Sequence, residues 1–300
     1  MLATPWPAAF SDPGWWFELK WDGVRVVGSW EGDRVVLRSR RGTDVTATYP
    51  EVAAARLDRP AVLDGEVVAF DDRGKPSFAR LQQRMNLAAP GRAVAVTPVS
   101  LVVFDLLYLD GDRAADPIES RWEALASLAL PPPLVATDRV GGDGEALFAA
   151  VVGEGLEGMV AKRMGSTYQP GKRSPDWRKV AHRRRVRAVV GGYLPGAGAR
   201  SSTFASLLVG VWRDGGLRYA GAVGSGFDDR TLVAARAALD RIRRPASPFS
   251  SPVGIPEGAV WVEPRVVAEV EFKEWTPAGR LRAPVFQGFS EEPAEADPRN

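Results

Sequence analysis

The residues best placed to do chemistry are those of Glu18-Leu19-Lys20-Trp21-Asp22-Gly23-Val24-Arg25. An amine such as that of Lys20 attacks an electrophilic phosphorus once it is partly deprotonated, through desolvation, a neighbouring cation or a bound metal. Trp15-Trp16-Phe17, just upstream, can supply a dry wall, whereas Asp22 favours the charged ammonium unless another cation engages it. Further motifs follow at wide intervals: Ser39-Arg40-Arg41-Gly42, Asp64-Gly65-Glu66, Val102-Val103-Phe104-Asp105, Glu157-Gly158-Met159-Val160-Ala161-Lys162 and Trp177-Arg178-Lys179. Carboxylates accept from sugar hydroxyls or hold hard cations, while lysine and the forked arginine head match phosphate oxygens. Each motif also has a plain structural reading. A lone lysine is ordinarily a surface residue, Asp64 to Glu66 reads as turn acids before the next strand, and Phe104 lies in a run apolar enough to be core.

Such groups need a scaffold, and the hydrophobic pattern supplies one. Trp15–Lys20, Arg25–Trp30, Arg34–Ser39, Ala61–Phe70 and Val99–Leu107 have the β-branched, apolar character of strands. Glu51–Leu57, Phe78–Met85, Ile118–Leu128 and Glu145–Glu154 read as helices, the third opening after Asp116-Pro117. Pro131-Pro132-Pro133 is a stiff loop within the same domain. Composition shifts near Arg187. Beyond it Ser206–Trp212, Leu217–Val223, Val260–Val262 and Val266–Phe272 read as strands, with one helix at Thr231–Ile242. That pattern suits a small Greek-key barrel of the oligonucleotide-binding (OB) type. The expected division is 1–187, 188–293 and a disordered tail at 294–300.

With 300 residues and 45% hydrophobic content, the chain can bury two cores. It has no cysteine, which excludes a disulfide scaffold and a thiolate zinc site, and its one histidine, His182, argues against a His-rich metal centre or a Ser-His-Asp triad. No apolar run approaches the roughly 18 residues of a membrane span. The net charge is only +2, but between Lys162 and Arg187 ten Lys/Arg face a single acid, Asp176. A basic block beside a reactive site suits a polyanion, because its cations replace phosphate counterions; a solvated basic face accounts for it equally well.

In order and spacing the motifs resemble those of the covalent nucleotidyltransferases: the ATP-dependent DNA ligases and their RNA ligase and mRNA-capping relatives. Ser39–Thr46, Phe104–Gly111, Val189–Leu194, Tyr219–Phe227 and Glu269–Leu281 are most similar to the ligase module of bacterial end-joining repair proteins. The resemblance implies an α+β fold, an ATP-grasp-like nucleotidyltransferase domain followed by an OB-fold barrel. It makes Lys20 the nucleophile that takes AMP from ATP, with Glu18 accepting from the adenine amine, Arg25 holding the nucleotide and Phe104 stacking on the purine. Glu66 becomes a ribose or metal contact and Glu157 a ligand of Mg²⁺ or Mn²⁺. Lys162 and Lys179 face the α-phosphate, and Arg40, then Arg41, grip the 5′-phosphate at a nick. The implied partner is nicked double-stranded DNA, held also by barrel arginines such as Arg200, Arg213 and Arg218, with end-binding repair proteins as further partners. The expected setting is a monomer in the bacterial cytoplasm, on the nucleoid when bound to DNA, with no membrane attachment.

Two departures from the family pattern stand out. A lysine usual two residues after Lys179 is replaced by Ala181, followed by His182 and Arg183. The terminal Arg-x-Asp-Lys motif, which orients pyrophosphate, is replaced by Ser290-Glu291-Glu292-Pro293, leaving Arg280 or Arg282 to serve. The alternatives are an RNA ligase or capping-type guanylyltransferase, and a nick-binding accessory protein that has lost self-adenylylation.

Overall fold

The structure is a computed structural model and describes residues 1–85, 87, 90–198, 201–251 and 254–294. Arg200 and residues 295–300 of the expected tail therefore lie outside the described residues. The chain divides into two compact units, Met1–His182 and Arg183–Asn300.

The first unit holds two five-stranded sheets. One has the order β1 (Leu2–Pro5), β10 (Arg173–Ala181), β9 (Gly158–Arg163), β2 (Asp12–Leu19), β8 (Arg139–Gly142). The other runs β4 (Arg34–Ser39), β3 (Val24–Glu31), β5 (Ala61–Ala69), β6 (Val99–Leu109), β7 (Leu134–Ala136). Two-residue alternation decides what each strand buries. On β2, Trp15 and Phe17 enter a small core with Met159, Ala161 and Val180, so Trp16 and Glu18 leave the opposite face. The β3–β5–β6 strands pack Val26, Leu63, Val67, Leu101 and Val103 against α1 (Pro50–Ala53), α2 (Phe78–Met85) and α4 (Ile118–Ala126), with the one-turn helix α3 (Ala93–Val96) leading into β6. Helix α5 (Gly144–Gly153) is capped by Asp143, whose carboxylate accepts from the N–H of Ala146 at 3.1 Å.

The second unit is a curled six-stranded sheet, β13 (Gly216–Val223), β12 (Phe204–Arg213), β11 (Arg184–Pro195), β15 (Val260–Phe272), β14 (Arg243–Arg244), with β16 (Val285–Ser290) on the other side of β15. Its core takes Leu232, Ala235 and Leu239 from helix Asp229–Asp240, which Asp228 caps through the Thr231 N–H at 2.7 Å.

Several elements differ from the expectation. The segment Asp64-Gly65-Glu66 lies mid-strand in β5, inside the expected strand Ala61–Phe70 and not in the turn of its plain structural reading, with Asp64 fully buried. The stretches Val260–Val262 and Val266–Phe272 form one strand, because residues 262–265 bulge opposite Gly191 and carry Pro264, which has no N–H to give the ladder. The unit boundary precedes the expected 187/188, since β11 pairs with β15 from Arg184 onward. The helix expected over Glu51–Leu57 ends at Ala53. No helix among the described residues is long and apolar enough to cross a membrane.

Candidate active site

A cavity of about 470 Å³ is lined by both sheets of the first unit, a size that suits a bound small molecule. Glu18, Lys20, Arg25, Arg40, Arg41, Glu66, Phe104, Lys162 and Lys179 all line it. Glu157, the expected metal ligand, is not on its lining; the Glu157 carboxylate pairs directly with the Lys20 ammonium.

Lys20 emerges just past the end of β2, and two glycines fix its path. Its N–H donates to the carbonyl of Gly158 at 2.9 Å. Gly158 has φ +145, and a Cβ there would lie 2.2 Å from the Val180 carbonyl oxygen, so no side chain is admissible. At Gly23 an added Cβ would meet the Val67 carbonyl oxygen at 2.1 Å. The chain after Lys20 therefore runs hard against the strand that carries Glu66. Burial pushes the Glu66 carboxyl up to about 8; Lys20 opposes this and Glu157 adds to it. Lys179 is lowered from the usual ammonium value, first by burial and then by Lys20, Arg173 and Arg40. Cations and carboxylates are thus crowded around one amine.

The opposite end of the cavity is aromatic. Phe104 and Trp177 meet edge to face at 6.1 Å, and the Lys162 ammonium sits 4.9 Å and 4.4 Å from their ring centres. Lys162 is 1% exposed, pairs with Glu18 Oε2 at 2.8 Å and donates to the Phe104 carbonyl at 2.6 Å. Its ammonium is therefore turned toward Glu18, whereas the family pattern has it facing a phosphate. Glu18 Oε1 is buried with no hydrogen-bond partner. Burial raises the Glu18 carboxyl above its ordinary range, with Lys162 as the main counterweight.

Arg25 makes a two-pronged pair with Asp64, Nε to Oδ1 at 2.9 Å and Nη2 to Oδ2 at 2.5 Å. It also donates to the Met1 carbonyl at 2.5 Å and to the Tyr168 hydroxyl at 3.1 Å. Tyr168 in turn donates to Asp64 Oδ2 at 2.7 Å. A second buried pair, Arg121 with Asp105 at 2.8 Å and 2.9 Å, lies beneath Phe104 in the sequence of β6. Asp64, Tyr168, Trp177 and Arg173 were not singled out as individual site residues. Trp177 was legible: it shares a strand face with Lys179 by alternation. Tyr168 had no local signal, because its partner lies 104 residues away.

The basic turn Ser39–Gly42 closes through Gly42 N–H to Ser39 O at 2.8 Å and leaves Arg40 and Arg41 exposed at the rim. His182 turns away from the lining: its Nδ1 bonds the Leu156 carbonyl at 3.1 Å, the tautomer following from that acceptor. Ala181 is exposed at the end of β10 on the face of Lys179. In the second unit Arg282 pairs with Glu274 at 2.5 Å, and Glu292 pairs with Arg187. Arg213 and Arg218 are both drawn toward Asp214, at 3.7 Å and 3.9 Å.

A fold of two facing sheets with a lysine nucleophile candidate in the cleft, followed by a curled β unit, defines a nucleotidyltransferase architecture, and comparison with known proteins makes the class specific. The ATP dependent DNA ligase domain profile matches residues 1–181, and the ATP dependent DNA ligase C terminal region profile matches 200–293. The chain belongs to the ATP-dependent DNA ligase family. It is 40% identical over 296 residues to the multifunctional non-homologous end joining DNA repair protein LigD of Mycobacterium tuberculosis, with 96% of this chain and 38% of that protein aligned. The Pseudomonas aeruginosa LigD is 36% identical over 290 residues, covering 93% of this chain and 34% of that one. The chain thus spans well under half the length of these relatives. The solved ligase domain of M. tuberculosis LigD is 38% identical with TM-score 0.55, covering 97% of this chain and 94% of that one. A mycobacterial DNA ligase D complexed with ATP and MES gives 37% identity and TM-score 0.55, covering 98% and 95%.

Proposed function

We propose that this chain is a ligase core that seals nicks in duplex DNA using ATP, in the service of end-joining repair. The observation that carries the reading is the convergence of Lys20, Glu66, Phe104, Lys179 and the Arg40-Arg41 turn on one cavity in a chain of the ligase family. In the first step Lys20 Nζ bonds the α-phosphorus, its proton is lost, and the α–β oxygen bond breaks to release pyrophosphate. AMP then passes to the 5′-phosphate of a nick, freeing Lys20, and the 3′-hydroxyl displaces AMP as the phosphodiester forms. Each step is chiefly a matter of alignment and charge stabilisation. The unpartnered Glu18 Oε1 supports an amine-bearing base at the aromatic end, with Phe104 as its stacking surface. Arg25, already held by Asp64, serves as a fixed cation near the sugar.

Glu66 and Glu157 fit a divalent cation. The two acids are close enough for Glu157 to raise Glu66, and oxygen ligands suit Mg²⁺ or Mn²⁺. Among the described residues no group of three or more His, Asp or Glu side chains could enclose a metal, so the remaining ligands would be phosphate oxygens and water. Bound there, the ion supplies charge neutralisation at the transferred phosphorus. Nicked duplex DNA, end-binding proteins, a monomeric state and a cytoplasmic setting complete the proposal.

The test is joining of a nicked DNA duplex with ATP and Mg²⁺ or Mn²⁺, run beside GTP and an RNA nick. A sealed DNA strand with ATP alone is expected; failure to seal either the plain or a pre-adenylylated nick by folded protein overturns the reading. Ala181 adds a second expectation. Ala181→Lys places an ammonium on the cavity face of β10, and we expect it to speed covalent labelling by ATP several-fold, about the effect of one further phosphate contact. An unchanged labelling rate contradicts that.

A further inference from the structure

Arg139 lies outside the cavity lining and in none of the motifs, yet its Nη1 is buried without a hydrogen-bond partner, as is Oε1 of Glu18. The two residues are directly opposite on the antiparallel strands β8 and β2. Opposed residues leave a sheet on the same face, with Cβ atoms about 5 Å apart. The Arg139 guanidinium is clamped by two indoles, 3.7 Å from the Trp16 ring centre and 4.5 Å from that of Trp122. In contact with both rings, it is held in place and partly stripped of water.

Glu18 therefore has a cation on each neighbouring strand. On β9, Lys162 bonds Oε2 at 2.8 Å; on β8, Arg139 acts at longer range, and Asp105 of β6 is the nearby acid that opposes both. Arg139 itself faces Glu18 first and then Glu119 and Glu123 of α4. Lys162 is shared with the Phe104 carbonyl and occupies only one carboxylate oxygen. With Lys162 donating to Oε2, a proton taken up by the buried carboxyl sits on Oε1 and turns that oxygen from acceptor into donor.

We propose that Arg139 is a positioning residue for base recognition, its clamped charge holding Glu18 as a carboxylate whose Oε1 accepts from the exocyclic amine of adenine. The proposal rests on the ligase reading and deepens it at the base-binding end. Removing Arg139 takes away a charge that favours ionised Glu18. Its proton affinity then rises, and the acceptor is lost at a higher pH than in the native protein.

The experiment measures initial rates of covalent labelling against nucleotide concentration and pH, for ATP and for purine riboside triphosphate, which lacks the amine. For Arg139→Gln, the acid limb of kcat/KM for ATP should move up by about one pH unit, and on the acid side of that limb KM for ATP should stand about tenfold above the native value. The analogue's KM should hold, kcat should change little, and Arg139→Lys should recover most of the pH profile. In a Glu18→Gln background, Arg139→Gln should add nothing. Should Arg139→Gln not fold, Trp122→Phe, which loosens one side of the clamp, should shift the acid limb in the same direction to a smaller extent. Equal losses for ATP and the analogue with an unmoved pH profile assign Arg139 to packing and overturn the proposal. Absence of any label on the native protein with ATP instead removes the ligase reading on which it rests.

Discussion

Lys20→Ala is expected to abolish covalent labelling by ATP and ATP-driven sealing, lowering both by more than about 10³-fold, because no other side chain replaces an absent nucleophile. Sealing of a pre-adenylylated nick should survive within about tenfold of the native rate, since phosphodiester formation needs the cleft and its cations rather than that amine. The contrast isolates the first step. The Lys20 ammonium is paired with Glu157, whose carboxylate is only 15% exposed, so Lys20→Ala leaves a largely buried acid without that cation and some stability is lost with it. A cooperative unfolding transition, even at a lowered midpoint, beside a lost label is the informative result. Labelled Lys20→Ala protein would show that another group accepts the nucleotide.

The second large effect is on stability. Asp64 is completely buried and takes both prongs of Arg25 together with the Tyr168 hydroxyl. Asp64→Ala leaves a mostly buried guanidinium without its counter-charge, and breaking such a pair costs about 3–5 kcal/mol. Urea unfolding should show a correspondingly lower midpoint, with nucleotide labelling weakened as Arg25 loses its anchor. Arg25 makes four hydrogen bonds to three partners, and its proton affinity is raised above that of a free guanidinium despite burial, chiefly through Asp64. It cannot titrate to escape the cost. A loss smaller than about 1 kcal/mol would place the pair in the weak class of surface bridges.

The contrast between these two residues shows what a sequence displays and what it hides. Lys20, Glu66, Phe104 and Lys179 sit in short motifs whose residue types announce phosphate and sugar chemistry, and alternation along β2, β5, β6 and β10 carries them to a common cavity. The long apolar strands were legible for the same reason: β4 and α2 occupy the expected spans, Arg34–Ser39 and Phe78–Met85. Three kinds of feature were not. The short edge strands β1, β7 and β8 carry too few residues for a period to register, and their positions depend on partners far along the chain, as Leu2 on Arg173. The basic stretch from Lys162 to Arg187 read equally well as a solvated face because its charges mask the burial of Trp177, Val180 and Val186 in three cores. The burial of Asp64 was hidden because the arginine that satisfies it lies 39 residues earlier, and only strand pairing brings the two together. Arg139 is the extreme case. Nothing near it in sequence hints at chemistry, and its significance comes wholly from standing opposite Glu18 against two tryptophans.

The changes at Ala181 and at Ser290-Glu291-Glu292-Pro293 bear on how fast the first step runs. The cavity retains Lys179, Arg173 and Arg40 near Lys20, so positive charge around the reacting phosphate is kept while its distribution differs. Glu292 is occupied with Arg187 in the second unit. Slow labelling with ATP combined with brisk sealing of a pre-adenylylated nick is the kinetic pattern these residues favour.

The most direct measurement is mass mapping of proteolytic fragments after incubation with ATP and a divalent cation, followed by acid treatment. The fragment containing Lys20 is expected to carry one AMP through an acid-labile phosphoramidate. An adduct on any other residue, or a fully folded protein that carries none under either Mg²⁺ or Mn²⁺, would contradict the account.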